Sequence, residues 1–492
     1  MAPPLGRVHP GIVAMLEDAV RAFPGRQAVV MGEVAWTYAE FRRVVLGLAR
    51  HLRGQGAAGG RVATVLPNSL LACAAPYAIA AAGAQHVPLN PLYTPRELDY
   101  ILGDAKPTIV LRGDTSLPDR FADWLSQPDE SLEPYAPAAD SLAILQYTGG
   151  SSGFPKGVNL THRAISTNVT QRDSLLPVSR DGERVLCVMP LFHSYAMAMG
   201  LFLCGYAGAT LVVQPGYHPQ RLLDAIGEHA ITIFPGSPTI FTGLMAHEAF
   251  ARCDWRRVHT CYSGSSALPR ETMERWQQAT GAPIFEGYGQ TEAGPVLTFN
   301  PAAGPVKVGS VGVPVAATEV QIVDVETGLR VLAVGERGEI RARGPQVMAG
   351  YHGLPKETAE ALRDGWLYTG DIGELDADGY LFIRDRKKDL VIVGGYNVYP
   401  REVEEVLYAH PQVQEAAVVG QPDPYRGEVL RAFVAMRPGC AFNEGLLIEH
   451  CAANLARYKV PARIEALEAL PRTGVNKIDK KPLKDRVRRE GA

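Results

Sequence analysis

Short apolar segments alternate with longer helical segments along most of the chain, and this alternation restricts its fold more than any other feature. Residues 61–67 (RVATVLP) have the composition of a buried strand, residues 70–83 (LLACAAPYAIAAAG) of a packed helix and residues 84–90 (AQHVPLN) of the next strand. Residues 268–281 form another helical segment, with a proline near its start and a glycine just past its end. This alternation predicts an α/β fold, in which ligands bind at loops beyond the strand ends.

The pattern changes after Tyr380. A strand, a charged segment, a second strand and a glycine pair lead to a helix that begins after Pro400 and stops at Pro411. The residues beyond it have their own strand and helix pattern, which is enough for a small domain. We therefore predict a large domain at residues 1–385 and a small domain at residues 386–492, joined at the charged segment.

Composition excludes several classes of protein. The 492 residues are 46% hydrophobic and carry a formal net charge of −3, which argues for a globular protein and against a nucleic-acid binder. The seven cysteines are scattered and form no C-x-x-C pair, which fits a reducing compartment without zinc or disulfides. No signal peptide is evident, and the two long uncharged stretches, 62–95 and 185–220, are interrupted by prolines and polar residues. We predict a cytoplasmic protein with no transmembrane segment.

Residues 147–157 (YTGGSSGFPKG) place four glycines, two serines and one lysine directly after an apolar run. Glycines allow backbone N–H groups to turn inward around an anion, and hydroxyls and a lysine add donors. The P-loop pattern G-x-x-x-x-G-K-[ST] does not fit, because Lys156 follows Pro155 and precedes Gly157. On these residues alone, an anion-binding loop and a surface turn are equally supported.

Four further segments carry polar side chains suited to a charged ligand. They are residues 287–294 (GYGQTEAG), 368–371 (YTGD), 383–389 (IRDRKKD) and 471–481 (PRTGVNKIDKK). Taken singly, Tyr288 also fits a core position, Asp371 a helix cap and Lys477 a solvated tail. Their order along the chain is more specific than any one of them.

The ordered set resembles the adenylate-forming superfamily of acyl- and aryl-CoA synthetases, luciferases and peptide-synthetase adenylation domains. The resemblance covers nearly the whole chain, including residues 36–43, 83–98, 190–200, 338–344 and 457–484. It implies a large N-terminal domain of packed α/β sheets with a small β-barrel-like part, and a small, mobile α+β C-terminal domain. It also implies binding of ATP, Mg²⁺ and coenzyme A.

The resemblance assigns the residues that act on the phosphates. Lys477 would bridge the substrate carboxylate and the α-phosphate of ATP. Glu292, with Thr291 beside it, would help to hold Mg²⁺, and Thr148 would contribute to the same metal site. Lys156 would lie near the β- and γ-phosphates, which the 147–157 loop would hold.

The resemblance also implies contacts to the adenosine. Tyr288 would lie against the adenine, Asp371 would accept hydrogen bonds from the ribose hydroxyls, and Arg386 would add a polar contact there. The full set implied for ATP and AMP is Thr148, Gly149, Gly150, Ser151, Ser152, Gly153, Lys156, Gly264, Ser265, Ser266, Glu286, Gly287, Tyr288, Gln290, Thr291, Asp371, Ile383, Arg386 and Lys477.

By family position, His193, Phe234, Gly264 and Gly287 line the acyl pocket. Small residues at the last two positions leave an apolar slot open, and no arginine follows Glu286, where a dicarboxylate-specific relative would carry a cation. These residues favour a monocarboxylic, apolar acid.

The second half-reaction is assigned to the small domain. The resemblance implies that this domain swings about Lys388, so that Lys477 leaves and the loop of Gly394, Gly395 and Tyr396 comes in to line a channel for the CoA thiol. Domain rotation about a few residues is a common switching device.

Two positions depart from the family pattern. Gly149 stands where many relatives carry a hydroxyl, which removes one phosphate donor but leaves a backbone N–H. Asn476 stands where relatives have glycine before the lysine, and asparagine tolerates left-handed backbone.

The favoured function is an acid–thiol ligase that converts a medium- or long-chain fatty acid into its CoA thioester through an acyl-AMP. The alternatives are a ligase for an aryl acid such as a coumarate or benzoate, an enzyme that loads a carrier protein, and a non-catalytic binder of acyl-adenylates. The sequence predicts no nucleic-acid partner and is compatible with peripheral membrane contact and with a homodimer.

Overall fold

A computed structural model describes residues 4–126, 135–148, 155–264, 268–394, 396–473 and 477–490. The chain divides into two compact units. The large unit comprises Met1–Val320 and Ala342–Tyr368, and the small unit comprises Gln321–Arg341 and Thr369–Ala492. The predicted boundary at residue 385 marks where the small domain would begin to move as a body, and it stays a prediction.

The described residues form strands throughout the chain. In order, they are β1 (Gln27–Met31), β2 (Val34–Thr37), β3 (Arg61–Val65), β4 (Gln85–Leu89), β5 (Ile109–Arg112), β6 (Leu142–Thr148), β7 (Lys156–Thr161), β8 (Arg184–Cys187), β9 (Thr210–Val213), β10 (Ile233–Gly236), β11 (Thr260–Ser263), β12 (Ile284–Gly289), β13 (Val296–Phe299), β14 (Val313–Pro314), β15 (Glu319–Val323), β16 (Gly338–Arg343), β17 (Gly350–Tyr351), β18 (Leu362–Arg363), β19 (Trp366–Leu375), β20 (Leu381–Arg386), β21 (Val391–Val393), β22 (Tyr396–Val398), β23 (Val413–Asp423), β24 (Gly427–Met436) and β25 (Arg463–Ala466).

Helices connect many of these strands, and a π-helical segment, Met197–Phe202, lies between two of them. The α-helices are α1 (Ile12–Ala22), α2 (Tyr38–Gly54), α3 (Leu70–Ala81), α4 (Pro95–Ala105), α5 (Phe121–Leu125), α6 (His162–Leu175), α7 (Ser194–Ala196), α8 (Leu203–Ala207), α9 (Pro219–Glu228), α10 (Pro238–Met245), α11 (Arg270–Thr280), α12 (Pro355–Ala361), α13 (Pro400–Tyr408), α14 (Glu444–Asn454) and α15 (Lys480–Glu490).

A nine-stranded sheet crosses the large unit in the order β14-β13-β12-β11-β10-β8-β9-β1-β2. The pairs from β12 through β1 are parallel, while β13 and β2 pair antiparallel with their neighbours. A mostly parallel sheet needs both faces covered, and its parallel strands are accordingly mostly buried. Its β12 carries the predicted residues Glu286, Gly287 and Tyr288.

The second sheet of the large unit has the order β17-β7-β6-β4-β3-β5. Strands β3, β4, β5 and β6 pair parallel, and β7 pairs antiparallel with β6 and β17. The predicted glycine loop therefore follows the carboxyl end of a parallel strand. Helix α3 is buried nearly all round and includes Pro76, so this proline does not interrupt the Ala-rich helix.

The small unit contains a sheet of order β22-β21-β24-β23, and β25 pairs with β24. Strands β23 and β24 form a long antiparallel hairpin, with apolar clusters on both faces against α13, α14 and α15. Strand β20 pairs antiparallel with β19 in a further five-stranded sheet. This mixture of sheets and helices confirms the predicted α/β class. In the described ranges, no helix combines the length and the apolar character needed to cross a membrane.

Candidate active site

The β6–β7 hairpin brings the two ends of the predicted phosphate loop together. Thr148 and Lys156 lie opposite each other in the antiparallel register. Tyr147, one residue earlier, is buried and donates its hydroxyl to Asp104 Oδ2 at 2.5 Å. The loop members Gly149, Gly150, Ser151, Ser152 and Gly153 lie outside the described residues.

A tyrosine links the lysine of this hairpin to the predicted metal ligand. Strand β17 pairs with β7 and places the Tyr351 ring centroid 5.0 Å from Lys156 Nζ. The Tyr351 hydroxyl donates to Glu292 Oε1 at 2.9 Å. Burial and the Glu292 charge both raise the pKa of Tyr351, so its hydroxyl stays protonated and remains a donor. Sequence reasoning missed Tyr351, because only the pairing of a two-residue strand brings it to this position.

The segment after β12 fixes the backbone around Glu292. Thr291–Ala293 forms one turn of 3₁₀ helix, and the Met348 N–H donates to the Glu292 carbonyl at 2.9 Å. The Thr291 hydroxyl is buried and lies 3.3 Å from the Ser194 hydroxyl. Gln290, which precedes the turn, is half-buried. These contacts fix Thr291 and Glu292 on one short turn.

Strand β12 presents the predicted adenine-side residues. Glu286 is buried, and its Oε1 accepts from the backbone N–H of Leu268 at 3.1 Å, which ties the turn before α11 to the strand. Tyr288 is half-buried and packs against the large apolar core. The predicted turn residues Ser265 and Ser266 lie outside the described part of the chain.

Aromatic rings cover the two glycines predicted to open the acyl pocket. A Cβ on Gly264 would lie 3.1 Å from the Tyr195 ring, and one on Gly287 would lie 2.4 Å from the Phe299 ring. Any larger residue at 287 would clash with Phe299, so glycine is needed there for packing. The half-buried His193 accepts the Tyr195 N–H at its Nδ1 at 3.2 Å. Tyr195 belongs to this group, although sequence reasoning did not single it out.

The fourth predicted pocket residue lies elsewhere. Phe234 is fully buried, with its ring centroid 5.4 Å from that of Phe241 and 6.0 Å from that of Trp276. These three residues belong to an apolar cluster distinct from the one that contains Tyr195. The described structure therefore groups His193, Gly264 and Gly287 around Tyr195 and Phe299, and packs Phe234 in the core.

The small unit brings three predicted residues together. Asp371 on β19 and Arg386 on β20 are register partners, with Arg386 Nε 3.7 Å from Asp371 Oδ1. Burial, followed by the Arg386 charge, lowers the pKa of Lys477 to about 8, and the Asp371 charge opposes this effect. Residue Ile383 lies on the same strand as Arg386 and is half-buried.

A backbone turn holds Lys477 in this position. The Thr473 N–H donates to the Lys477 carbonyl at 2.8 Å, and the Lys477 N–H donates to the Thr473 hydroxyl at 3.1 Å. Asn476, the departure from the family pattern, lies outside the described residues. These two bonds hold the Lys477 backbone against Thr473, and the charges of Arg386 and Asp371 both act on the lysine side chain.

The pKa of Lys477 predicts how adenylation depends on pH. The ammonium form, which can neutralise anions, is present below a pKa of about 8 and is lost above it. We therefore expect kcat/KM for pyrophosphate release, measured without a thiol, to fall as pH rises through that value. The Lys477→Arg variant keeps its charge at alkaline pH, so its profile should lack this fall. A wild-type profile that stays flat would contradict this assignment.

Ion pairs surround the predicted hinge. Lys388 is exposed, whereas the residues on either side of it form ion pairs. Lys387 Nζ lies 2.8 Å from Glu339 Oε2, and Lys484 Nζ donates to Asp389 Oδ1 at 2.5 Å. Exposure and the lack of a regular strand or α-helix at Lys388 are compatible with a hinge, which stays a prediction.

The predicted CoA-side loop carries an exposed aromatic stack. Gly394 has a φ of 56°, in the left-handed region that favours glycine, and its N–H donates to the Arg426 carbonyl at 2.8 Å. The exposed Tyr396 ring stacks on Tyr458 with centroids 4.6 Å apart. Gly395 lies outside the described residues. The sequence did not point to Tyr458, which lies 62 positions further along the chain.

The large α/β unit carries the β6–β7 hairpin that flanks the predicted phosphate loop, and the small unit carries the half-buried Lys477. The chain belongs to the family of AMP-binding enzymes: that family matches residues 16–352, and the AMP-binding enzyme C-terminal domain matches residues 402–477. This membership confirms the predicted superfamily.

Individual relatives extend over nearly the full chain. The long-chain-fatty-acid–CoA ligase of Bacillus subtilis is 37% identical over 94% of this chain and 92% of its own length. The feruloyl-CoA synthase of an Amycolatopsis species is also 37% identical, over 95% of this chain and 96% of its own length.

Two solved structures also superpose on nearly the whole chain. The anthranilate CoA ligase AuaEII in complex with anthranoyl-AMP superposes with a TM-score of 0.91 at 28% identity, covering 99% of this chain and 98% of its own. ATP-bound MatB of Rhodopseudomonas palustris gives a TM-score of 0.90 at 29% identity, covering 97% and 98% respectively.

Proposed function

We propose that this protein is an ATP-dependent acid–thiol ligase that converts a carboxylic acid into its CoA thioester. The carboxylate attacks the α-phosphate of ATP, giving an acyl-AMP and pyrophosphate, and the CoA thiol then displaces AMP. The first step brings two anions together, so fixed cations and N–H donors must offset their repulsion. The observation that carries the proposal is the grouping of Lys477 with Asp371 and Arg386 in the small unit.

Each of these three residues has a chemical task. Lys477 places a positive charge where the carboxylate approaches the α-phosphate. Asp371 has a mostly buried side chain, which suits hydrogen bonds from the ribose hydroxyls. Arg386 is more exposed and supplies a second cation beside Asp371. Removal of water around these groups would strengthen their interactions and protect the acyl-AMP from hydrolysis.

The large unit supplies the residues proposed for the triphosphate. Thr148 and Lys156 flank the loop. Tyr351 connects Lys156 to Glu292, because its ring lies beside the lysine ammonium and its hydroxyl donates to the glutamate. One carboxylate and one hydroxyl fit Mg²⁺, which prefers oxygen ligands and commonly takes phosphate oxygens and waters for the rest. When bound, the ion would neutralise phosphate charge.

The proposed acid is a medium- or long-chain fatty acid. The support is the apolar, aromatic surroundings of Gly264 and Gly287, together with near-full-length relatives named as long-chain-fatty-acid–CoA ligases. A second candidate is an aryl acid. The edge-to-face rings of Tyr195, Tyr262 and Phe299 favour it, because an aryl acid can join such a cluster in the same geometry. A relative named feruloyl-CoA synthase is also equally similar in sequence.

Pyrophosphate release tests the proposal. The protein is incubated with ATP, Mg²⁺ and a graded panel of fatty and aryl acids, with and without CoA. We expect pyrophosphate release with at least one acid, and a thioester when CoA is added. Release without any thioester would favour loading of a carrier protein, and no release with any acid would favour a non-catalytic binder.

The proposal includes three further properties. We propose a cytoplasmic enzyme, with the small domain turning about Lys388 between the two half-reactions. Gly394, Gly395 and Tyr396 would then line the path of the CoA thiol. Peripheral contact with a membrane and a homodimer both stay compatible with this proposal.

A further inference from the structure

Asp385, near the end of β20 in the small unit, is a buried carboxylate that accepts its hydrogen bonds in the described ranges from backbone N–H groups. Only 6% of the residue is exposed. Its Oδ1 accepts the N–H of the next residue, Arg386, at 2.7 Å. Its Oδ2 accepts the Arg401 N–H at 3.0 Å. Two N–H groups therefore partly offset the loss of water around this charge.

The bond from Arg401 caps helix α13. That helix begins at Pro400, which has no N–H, and its N-cap residue, Tyr399, makes no side-chain cap bond. The Arg401 N–H is thus the first donor that the helix offers, and Asp385 accepts it from a strand 16 positions earlier in the chain. The carboxylate also faces the positive end of the helix dipole. Asp385 therefore gives α13 the cap that its own residues lack.

This bond crosses the predicted hinge. Asp385 is the last residue of the predicted large domain, Lys388 is the predicted turning point, and Arg401 belongs to the predicted small domain. A turn of the small domain about Lys388 would carry Arg401 away and break the bond. The bond occurs together with the grouping of Lys477 with Asp371, which is the adenylation arrangement of the proposed reaction.

The burial of Asp385 makes its negative charge less stable in this arrangement than in water. Burial, opposed in part by the Lys480 charge and the Arg401 N–H, raises the pKa of Asp385 to about 6. Lys480 itself pairs with Glu404, with Nζ 2.7 Å from Oε1. The Glu404 charge also raises the pKa of Asp385, and Tyr399 faces the same carboxylate. An aspartate in water has a pKa of about 4, so the ionised carboxylate is more stable once it is exposed.

We infer that Asp385 is a positioning residue that sets the balance between the two half-reactions. Its bond with Arg401 holds α13 in the adenylation arrangement, and the burial of its negative charge favours the turn away from that arrangement. Because protons bind Asp385 more tightly when it is buried, acidic pH stabilises the adenylation arrangement and neutral pH favours the turn. The inference rests on the proposed ligase activity and on the proposed turn about Lys388.

Asp385→Asn tests the charge, because it keeps an oxygen for the Arg401 N–H but cannot ionise. Thioester formation from octanoyl-AMP and CoA, with cinnamoyl-AMP as the aryl equivalent, should be slower than in wild type by on the order of 10- to 100-fold at about pH 7.5. Adenylation, followed as pyrophosphate release with octanoate or cinnamate and no CoA, should change only a few-fold. The wild-type to variant ratio for thioester formation should fall by about 10-fold between about pH 7.5 and about pH 5. The ratio cancels the titration of the CoA thiol, which both proteins share.

Two substitutions at Arg401 test the hydrogen bond separately. Arg401→Pro deletes the N–H that Asp385 accepts, in the first turn of α13, where proline is tolerated. The adenylation arrangement is then weaker, so pyrophosphate release should fall by on the order of 10-fold while thioester formation changes little. Arg401→Ala removes the side chain and its ion pair with Glu405 but keeps the N–H, and it should behave as wild type.

Asp485→Asn, the same change at an exposed position on α15, is the control for charge and should leave both rates unchanged. A thioester rate in Asp385→Asn that equals wild type at neutral pH, or a ratio that does not depend on pH, would overturn the inference. If Asp385→Asn fails to fold, the Arg401 pair decides: equal rates in Arg401→Pro and Arg401→Ala, or equal loss of both half-reactions in Arg401→Pro, would overturn it. If the wild type releases no pyrophosphate with any acid of the panel, the proposed ligase activity is wrong, and this inference is wrong with it.

Discussion

Replacing Lys477 by alanine should lower the rate of acyl-adenylate formation by on the order of 10²- to 10³-fold, the scale expected when one preorganised charge partner is lost. Thioester formation from a supplied acyl-adenylate should change only a few-fold. The difference arises because only the first half-reaction forms a bond between two anions. Once the acyl-AMP exists, the CoA thiolate attacks a carbonyl that has no negative charge to neutralise.

The surroundings of Lys477 explain why no neighbour should replace it. Arg386 is the cation whose charge lowers the pKa of Lys477, yet Arg386 is paired with Asp371 across β19 and β20. The Thr473 turn also fixes the lysine backbone, so the loss of the side chain does not by itself release the segment.

The two half-reactions are measured separately. Adenylation is followed as pyrophosphate release without CoA, and thioester formation is followed from synthetic acyl-AMP with CoA. The matched control is Lys481→Ala, which removes an exposed lysine four positions along the chain and should leave both rates unchanged. Equal loss of both half-reactions in Lys477→Ala would mean that the lysine supports the structure of the site rather than the adenylation step.

Much of the fold could be predicted from local sequence. Strand β3, helix α3 and strand β4 follow the apolar runs closely, and α11 begins after Pro269 and ends before Gly281. Each of these elements is specified by residues within itself. Pro76 lies inside α3, as the helix predicted for residues 70–83 requires, and burial on every side offsets the lost hydrogen bond.

The site residues could be predicted only where they belong to a contiguous sequence motif. The segments around Thr148, Glu292 and Lys477 are each contiguous, so an ordered resemblance identifies them. Tyr351 could not be found in this way, since it reaches Lys156 through the pairing of a two-residue strand with β7.

The surroundings of the acyl site could not be predicted from a contiguous motif either. Reading Gly264 and Gly287 as small residues predicts open space, but the structure sets the rings of Tyr195 and Phe299 against them. The side chains that face a glycine are set by the packing of strands and helices from distant parts of the chain. A local sequence pattern therefore does not predict them.

Removing the charge of Glu292 is the second large effect we expect. The Glu292→Gln variant keeps an oxygen that can accept the Tyr351 hydroxyl, but it removes the negative charge that suits Mg²⁺. Acyl-adenylate formation should fall by on the order of 100-fold, and half-maximal activity should need more Mg²⁺. The measurement is pyrophosphate release over a titration of Mg²⁺ at fixed ATP.

Tyr351→Phe separates the charge of Glu292 from its hydrogen bond. This variant deletes the hydroxyl that donates to Glu292 Oε1 but keeps the ring beside Lys156, so adenylation should fall only a few-fold with an unchanged Mg²⁺ requirement. Glu274→Gln, at an exposed position on α11, is the control for charge alone and should behave as wild type. If Tyr351→Phe reproduces the full loss, orientation rather than charge is what the site needs from Glu292. If Glu292→Gln retains the wild-type rate and Mg²⁺ dependence, Glu292 is not a metal-site residue, and the triphosphate must be held by other groups near Lys156.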